Sequence, residues 1–317
     1  AQLATDQDEN VRANVARNPN TLPDVLAQLV SDEYYKVLYN VAKNPNTPPN
    51  VFVQLPNDEN FIGGYAKNPN TPPDVLTQLA IDKNKFVRES VAENPNTPPD
   101  VLAQLAIDKN KFVIGGVAKN PNTPPHVLAQ LVTHRDEYVR SSVAKNINTP
   151  LYVLTQLATD SCTHVRKSIA TYLNTPSNIL AQLAIDKNKF VREAVAENPN
   201  TPPDILGKLA LQWEGNYDYQ HYRVIVGAVA RNPNTPPDIL AQLAVDEDYW
   251  VLVEVARNPN LRLKNAPQLL ADLLIGKTSM NIEVLAACIQ SEHFYPTIEP
   301  YMPEVLARLK GESEINA

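Results

Sequence analysis

The chain has 317 residues, with 28 Lys plus Arg against 35 Asp plus Glu and a net charge of −7. That balance disfavours a dedicated nucleic-acid binder, whose affinity comes from a basic surface, and no apolar run approaches the roughly 18 residues of a membrane span. The two cysteines, Cys162 and Cys288, are too few for a four-cysteine metal or cluster site or a disulfide framework, so a reducing, cytoplasmic setting is expected and no cofactor or metal.

From the first residues onward the chain is periodic. Residues 1–6, Ala-Gln-Leu-Ala-Thr-Asp, read as the tail of a helix whose start is missing, which predicts a truncated first repeat of a longer protein. The segment Asn18-Pro19-Asn20-Thr21 then returns at Asn44, Asn68, Asn94 and Asn120, and at Asn146 with Ile147 for proline. A degenerate copy starts at Tyr172, clean copies follow at Asn198 and Asn232, and Asn258 begins the last. The 28 prolines are therefore placed punctuation, and a fixed period in this range marks a solenoid of about ten repeats.

Each unit reads as two short helices. In the first, helix A, Thr97 is expected as N-cap and Pro98 at the first helical position, and Val101, Leu102, Leu105 and Ala106 form the apolar stripe. After a polar loop, Asp108 to Lys111, Val113 and Val117 lie one turn apart on helix B, which must end near Asn120 because a residue before proline leaves the α region. Gly115 and Gly116 weaken helix B, so a 3₁₀ turn is expected there. Helices this short do not stand alone and must bury their stripes against neighbouring repeats.

The unit V-R-x-x-V-A-x-N-P-N-T-P-P-D-V-L-A-Q-L-A-x-D, as in Val87 to Asp108, resembles the leucine-rich repeat variant family over residues 3 to about 260. The resemblance implies an all-α, right-handed α-solenoid of short alternating α and 3₁₀ (or short α) helices without β-sheet. No nucleophile elbow, phosphate loop or dinucleotide fingerprint is present in the sequence, so an enzyme is not expected. Some members of the family carry a cysteine-rich iron–sulphur segment, for which this chain lacks the cysteines. Most units are two residues longer than the usual 24, the addition lying in the Asp-Lys-Asn-Lys loop. We divide the chain into a solenoid, 1–260, and a divergent helical C-terminal cap and tail, 261–317.

Comparison of the repeats with one another separates scaffold from surface. The second asparagine of the turn, Asn122 for example, recurs in every unit and is expected to satisfy backbone groups inside the stack. Two positions after the first valine of helix B vary. They supply Arg12, Ile62, Arg88, Ile114, Arg140, Arg166 and Arg192 at one and Tyr39, Glu89 and Lys167 at the other. Variation on a constant scaffold is expected to mark an exposed recognition surface for a protein or peptide, with the arginines meeting carboxylates and the isoleucines forming apolar notches. The longest step, 198 to 232, inserts an aromatic loop with Trp213, Tyr217, Tyr219 and Tyr222, expected to join that surface. A basic stripe before the first asparagine (Arg17, Lys43, Lys67, Lys119, Lys145, Arg231, Arg257) supports nucleic-acid binding as an alternative, and an accessory scaffold for an enzyme is a second. A monomer is favoured.

Overall fold

The computed structural model describes residues 2–55, 59–211, 219–244, 246 and 248–262. The proposed cap thus lies outside the described residues beyond Arg262. Every regular element among the described residues is helical. The chain forms two compact units, residues 1–157 and 158–317.

In the first unit, A helices such as Pro23–Leu29, Pro73–Leu79 and Pro99–Leu105 alternate with B helices such as Tyr35–Lys43, Lys85–Glu93 and Lys111–Lys119. Each B helix packs along the B helix of the next repeat, which is solenoid packing. The second unit repeats the arrangement with B helices Thr163–Thr171, Lys189–Glu197, Tyr219–Arg231 and Tyr249–Arg257. The core is the stripe expected from the pattern: Val101, Leu102 and Leu105 from one A helix and Val113 and Val117 from the following B helix are at most 2% exposed.

The lengths reverse expectation. Helix B is a nine-residue α-helix despite its glycines, and helix A has seven residues and begins one position later, at Pro99. Among the described residues the A positions Gln2–Thr5 and Pro49–Gln54 are 3₁₀. Helix B is sustained at its start by a cap: the Asn110 side chain accepts the Phe112 N–H, as Asn84 and Asn188 do for Phe86 and Phe190.

The end of helix B explains the Asn-Pro-Asn-Thr turn. A helix leaves its last carbonyls without intrahelical donors. Thr47 Oγ1 donates to the Val41 carbonyl at 2.5 Å, and Thr97 does the same to Val91, so this threonine closes helix B rather than capping helix A. The first asparagine serves its neighbour. Asn120 Nδ2 donates to the carbonyls of Ala92 (2.7 Å) and Asn94 (2.8 Å) in the preceding repeat, while its Oδ1 accepts the Asn122 N–H. The pattern holds at Asn44, Asn68, Asn94 and Asn146 in the first unit and at Asn198, Asn232 and Asn258 in the second, all nearly fully buried. The second asparagine is mostly exposed and adds bonds at the rim, Asn46 Nδ2 to the carbonyls of Pro19 at 2.6 Å and Thr21 at 3.3 Å, for example. The ladder expected of the second asparagine is thus carried mainly by the first.

Removing a buried amide that holds two carbonyls costs about 1–3 kcal/mol, whereas an exposed hydrogen bond contributes about 0.5–1.5 kcal/mol. Asn120→Ala is therefore expected to lower the urea midpoint clearly more than Asn122→Ala. Equal losses in the two variants would overturn this division of labour.

Candidate functional site

The two variable positions of helix B have different fates. The first turns inward. Arg88 grips Asp108 of the next loop with Nε at 2.6 Å and Nη2 at 3.2 Å, and its Nη1 donates to the carbonyls of Asp82 and Lys83 in its own loop. Arg12 holds Asp32, and Arg166 holds Asp186, in the same way. Arg140 donates to the His134 and Arg135 carbonyls and Arg192 to that of Asp186. Arg166 is buried and the others are half-buried. Ile62 and Ile114, expected as exposed notches, are 6% and 5% exposed. This column is a clamp between repeats, and the expectation that it reaches the surface is corrected. The physical reason is that the loop aspartate draws the guanidinium back over the stack.

Each clamp aspartate does double duty. Asp108 Oδ1 also accepts the Asn110 N–H, which folds the loop into the cap of the next B helix. Burial alone would raise the Asp108 carboxyl, but the Arg88 hydrogen bond, the Asn110 N–H and the Arg88 charge together hold it below its ordinary value. The same balance, with burial the opposing cause, lowers Asp186; at Asp32 the Arg12 hydrogen bond is the leading cause. Where Ile114 replaces the arginine, His134 replaces the aspartate, and its Nδ1 accepts the Asp136 N–H at 3.0 Å. The loop bond survives without the charges. Where Val226 stands, Tyr222 takes over and donates its hydroxyl to Asp246. Tyr222, expected in the binding loop, thus packs back onto its own unit. Trp213, Tyr217 and the side chain of Tyr219 lie outside the described residues.

The second variable position, three residues after the second helical residue and three or four before the last, is half-buried at Tyr39, Gly63, Glu89, Lys167 and Glu193 and buried at Ala13, Gly115, Ser141, Gly227 and Val253. Along the outer face of helix B Phe86, Glu89 and Glu93 follow one another, as do Phe112, Gly115 and Lys119 in the next repeat. The face therefore has an aromatic edge, a variable centre and a mostly basic edge. Sequence reasoning passed over the aromatic edge, although the repeated Lys-Phe dipeptide signals it. Phe86 is 63% exposed, Phe190 48% and Trp250 40%. Cations lie over these rings: Lys85 over Phe86, Lys111 over Phe112, and Lys167 over Phe190. Tyr39 stacks on Tyr35 and accepts a hydrogen bond from Lys43 at 2.9 Å. Tyr39, Glu89 and Lys167 are thus the sequence-predicted residues that do lie on the exposed face, each half-buried.

The glycines of the centre are tuned to their neighbours. A Cβ on Gly115 would stand 2.2 Å from Tyr138 Cε1, so the glycine lets that ring cross helix B and reach Lys119, whose Nζ donates to the Tyr138 hydroxyl at 2.8 Å. A Cβ on Gly63 would meet nothing within 4 Å, which leaves a notch beside Tyr39 and Glu89 in the row of central positions.

Residues 86–109, 190–212 and 227–248 match the family described as leucine rich repeat variant. These repeats are leucine-rich repeat variant units. A solved structure described as a leucine-rich repeat variant with a novel repetitive structural motif is 24% identical over 68% of this chain and 84% of that chain, with a TM-score of 0.46. An engineered protein is 14% identical over 94% of this chain and 97% of that one, with a TM-score of 0.29. Computationally designed armadillo repeat proteins for modular peptide recognition are 14% identical over 84% of this chain and 96% of theirs, with a TM-score of 0.16. No curated protein matches the chain. Within the leucine-rich repeat variant units, the Asp-x-Asn loop that carries the extra residues supplies both the clamp aspartate and the helix B cap.

Two outcomes follow. Arg166→Met strands Asp186, and breaking a largely buried pair costs about 3 kcal/mol. A carboxylate held below its unfolded value gives stability that is fully present above the ordinary carboxylate range and is lost as pH falls through the folded value. The urea-midpoint gap between wild type and Arg166→Met is therefore expected to be wide at neutral pH and to narrow in acid; a constant gap would contradict the clamp. In the centre, Gly63→Ala is expected to raise stability by about 0.5–1 kcal/mol through helix propensity alone. Gly115→Ala is expected to forfeit that gain by displacing Tyr138, and equal gains at both sites would count against the packing described.

Proposed function

We propose that the chain is a protein-recognition scaffold that receives its partner on the exposed face of the B helices. The observation that carries this is the aromatic edge. Folding buries large apolar side chains, yet Phe86, Phe112 and Phe190 stand at the same register of their B helices and remain 45–63% exposed. Within each unit, exposed aromatic side chains flanked by charge are what a protein interface presents. The surrounding scaffold is held by the asparagine ladder and the arginine clamp, so little ordering cost falls on binding. Tyr39, Glu89 and Lys167 provide the variable contacts that distinguish one repeat from the next. Among the described residues no group of three His, Cys, Asp or Glu side chains is placed to hold a metal, and no helix is long and apolar enough to cross a membrane.

Charge reversal of Arg140, Arg166 and Arg192 would damage the interior hydrogen bonds, so it does not isolate binding. The informative variant is Phe86→Ser/Phe112→Ser/Phe190→Ser, which changes exposed side chains and should leave the unfolding midpoint within about 0.5 kcal/mol of wild type per site. In affinity capture from nuclease-treated lysate, wild type is expected to recover a protein that the triple variant loses. Recovery of the same proteins by both baits, or of none by either, would sink the proposal.

A further inference from the structure

In the first unit the basic edge of the B-helix face is a regular row. Arg17, Lys43, Lys67, Lys119 and Lys145 occupy the same turn of successive repeats, with Glu93 fourth in line, and all six are exposed. A cation here is favoured in any helix by the negative end of the dipole. That explanation is weakened by the hydrogen bonds already made at these termini. The Val41 carbonyl is taken by Thr47, and the Ala42 carbonyl by Asn68. The equivalent Val117 and Ala118 carbonyls are taken by Thr123 and Asn146. The lysines are not needed to satisfy them.

The net charge of −7 is also no measure of this edge. The acidic residues Asp24, Asp74 and Asp100 lie exposed at the starts of the A helices, and of the B-helix residues Glu9, Glu89, Glu93 and Glu137 only Glu93 stands in the row. Beside the row stand the exposed second asparagines Asn46, Asn70, Asn122 and Asn148. Each commits Nδ2 to a proline carbonyl of the preceding repeat, which leaves Oδ1 as the atom it offers outward.

We infer that this edge binds an extended acidic peptide segment of the partner, with one carboxylate for each basic repeat. The inference rests on the proposed recognition function and specifies its partner's chemistry. Packed helices lie about 8–10 Å apart, and a chain extended as polyproline II rises about 3.1 Å per residue with three residues per turn, so consecutive repeats meet every third residue on one face of such a segment. Carboxylates in that phase face Arg17, Lys43, Lys67, Lys119 and Lys145, and the peptide N–H groups face the row of amide oxygens. At the fourth step Glu93 repels a carboxylate and selects a neutral or basic residue, which fixes the register.

The test uses the full chain and fluorescein-labelled synthetic peptides of about 18 residues, read by anisotropy at low salt. One peptide carries Glu at every third position, and a second has the same composition with its Glu residues in one block. The phased peptide is expected to bind about tenfold more tightly than the block, and Lys67→Glu/Lys119→Glu to weaken it by about tenfold or more. Glu93→Lys is expected to tighten it several-fold, a gain that a misfolded variant would not produce. Equal affinity for the two peptides, no binding of either, or indifference to Glu93→Lys would overturn the inference. So would an oligodeoxythymidine of similar length that binds more tightly than the phased peptide through the same lysines. If the peptides fail while capture still depends on Phe86, Phe112 and Phe190, the acidic-segment inference falls and the recognition function stands.

Discussion

The stack depends on how the last carbonyls of each B helix are satisfied. A nine-residue helix exposes a large share of its backbone at its ends, and burying those carbonyls unpaired would cost more than so short a helix can return. Asn120 and its equivalents answer this with a side chain from the next repeat. Because the donor belongs to one repeat and the acceptor to another, each helix end is completed only by its neighbour. Cooperativity between repeats is thereby written into hydrogen bonds as well as into the Val and Leu core. Where Tyr172 stands in place of the asparagine there is no amide to give, and the ladder of the second unit begins at Asn198.

The arginine clamp is a second layer on the same plan, and its variation has structural logic. An arginine meets an aspartate 20 residues on, as with Arg12–Asp32, Arg88–Asp108 and Arg166–Asp186. The Ile114 repeat abandons both charges together, with His134 keeping the loop bond. The Ile62 repeat loses only the arginine: Asp82 stays, half-buried, with its Oδ1 accepting the Asn84 N–H. What reads as divergence on a surface is thus paired replacement beneath it at Ile114 and not at Ile62.

Much of the architecture is legible from period and pattern. The Asn-Pro-Asn-Thr spacing locates the turns, and the apolar stripe of Val101, Leu102 and Leu105 locates helix A and its core. What pattern could not show is where a polar side chain bonds. Thr97 satisfies the chemistry of an N-cap and, equally, that of a donor to the helix behind it; the structure selects the second. The two asparagines of each turn are identical in the chain and differ only in burial. Arginine misleads most, because its long stem can snorkel outward or fold back, and the choice is made by an aspartate in the following repeat. Phe86 and Phe112 mislead for the opposite reason: an aromatic residue beside a valine reads as core, yet both side chains are exposed.

These assignments divide the B helix by function along its circumference. Its inner side carries valines and the clamp, its end carries the ladder, and its outer face is released from both duties. A position such as Gly63, with no neighbour within 4 Å of an added Cβ, can change without disturbing the stack, whereas Gly115 cannot change without moving Tyr138. Freedom to vary therefore differs from repeat to repeat within the same column. A scaffold stabilised this way can alter its outer face where no neighbour crosses it, because the asparagine ladder and the arginine clamp do not pass through that face.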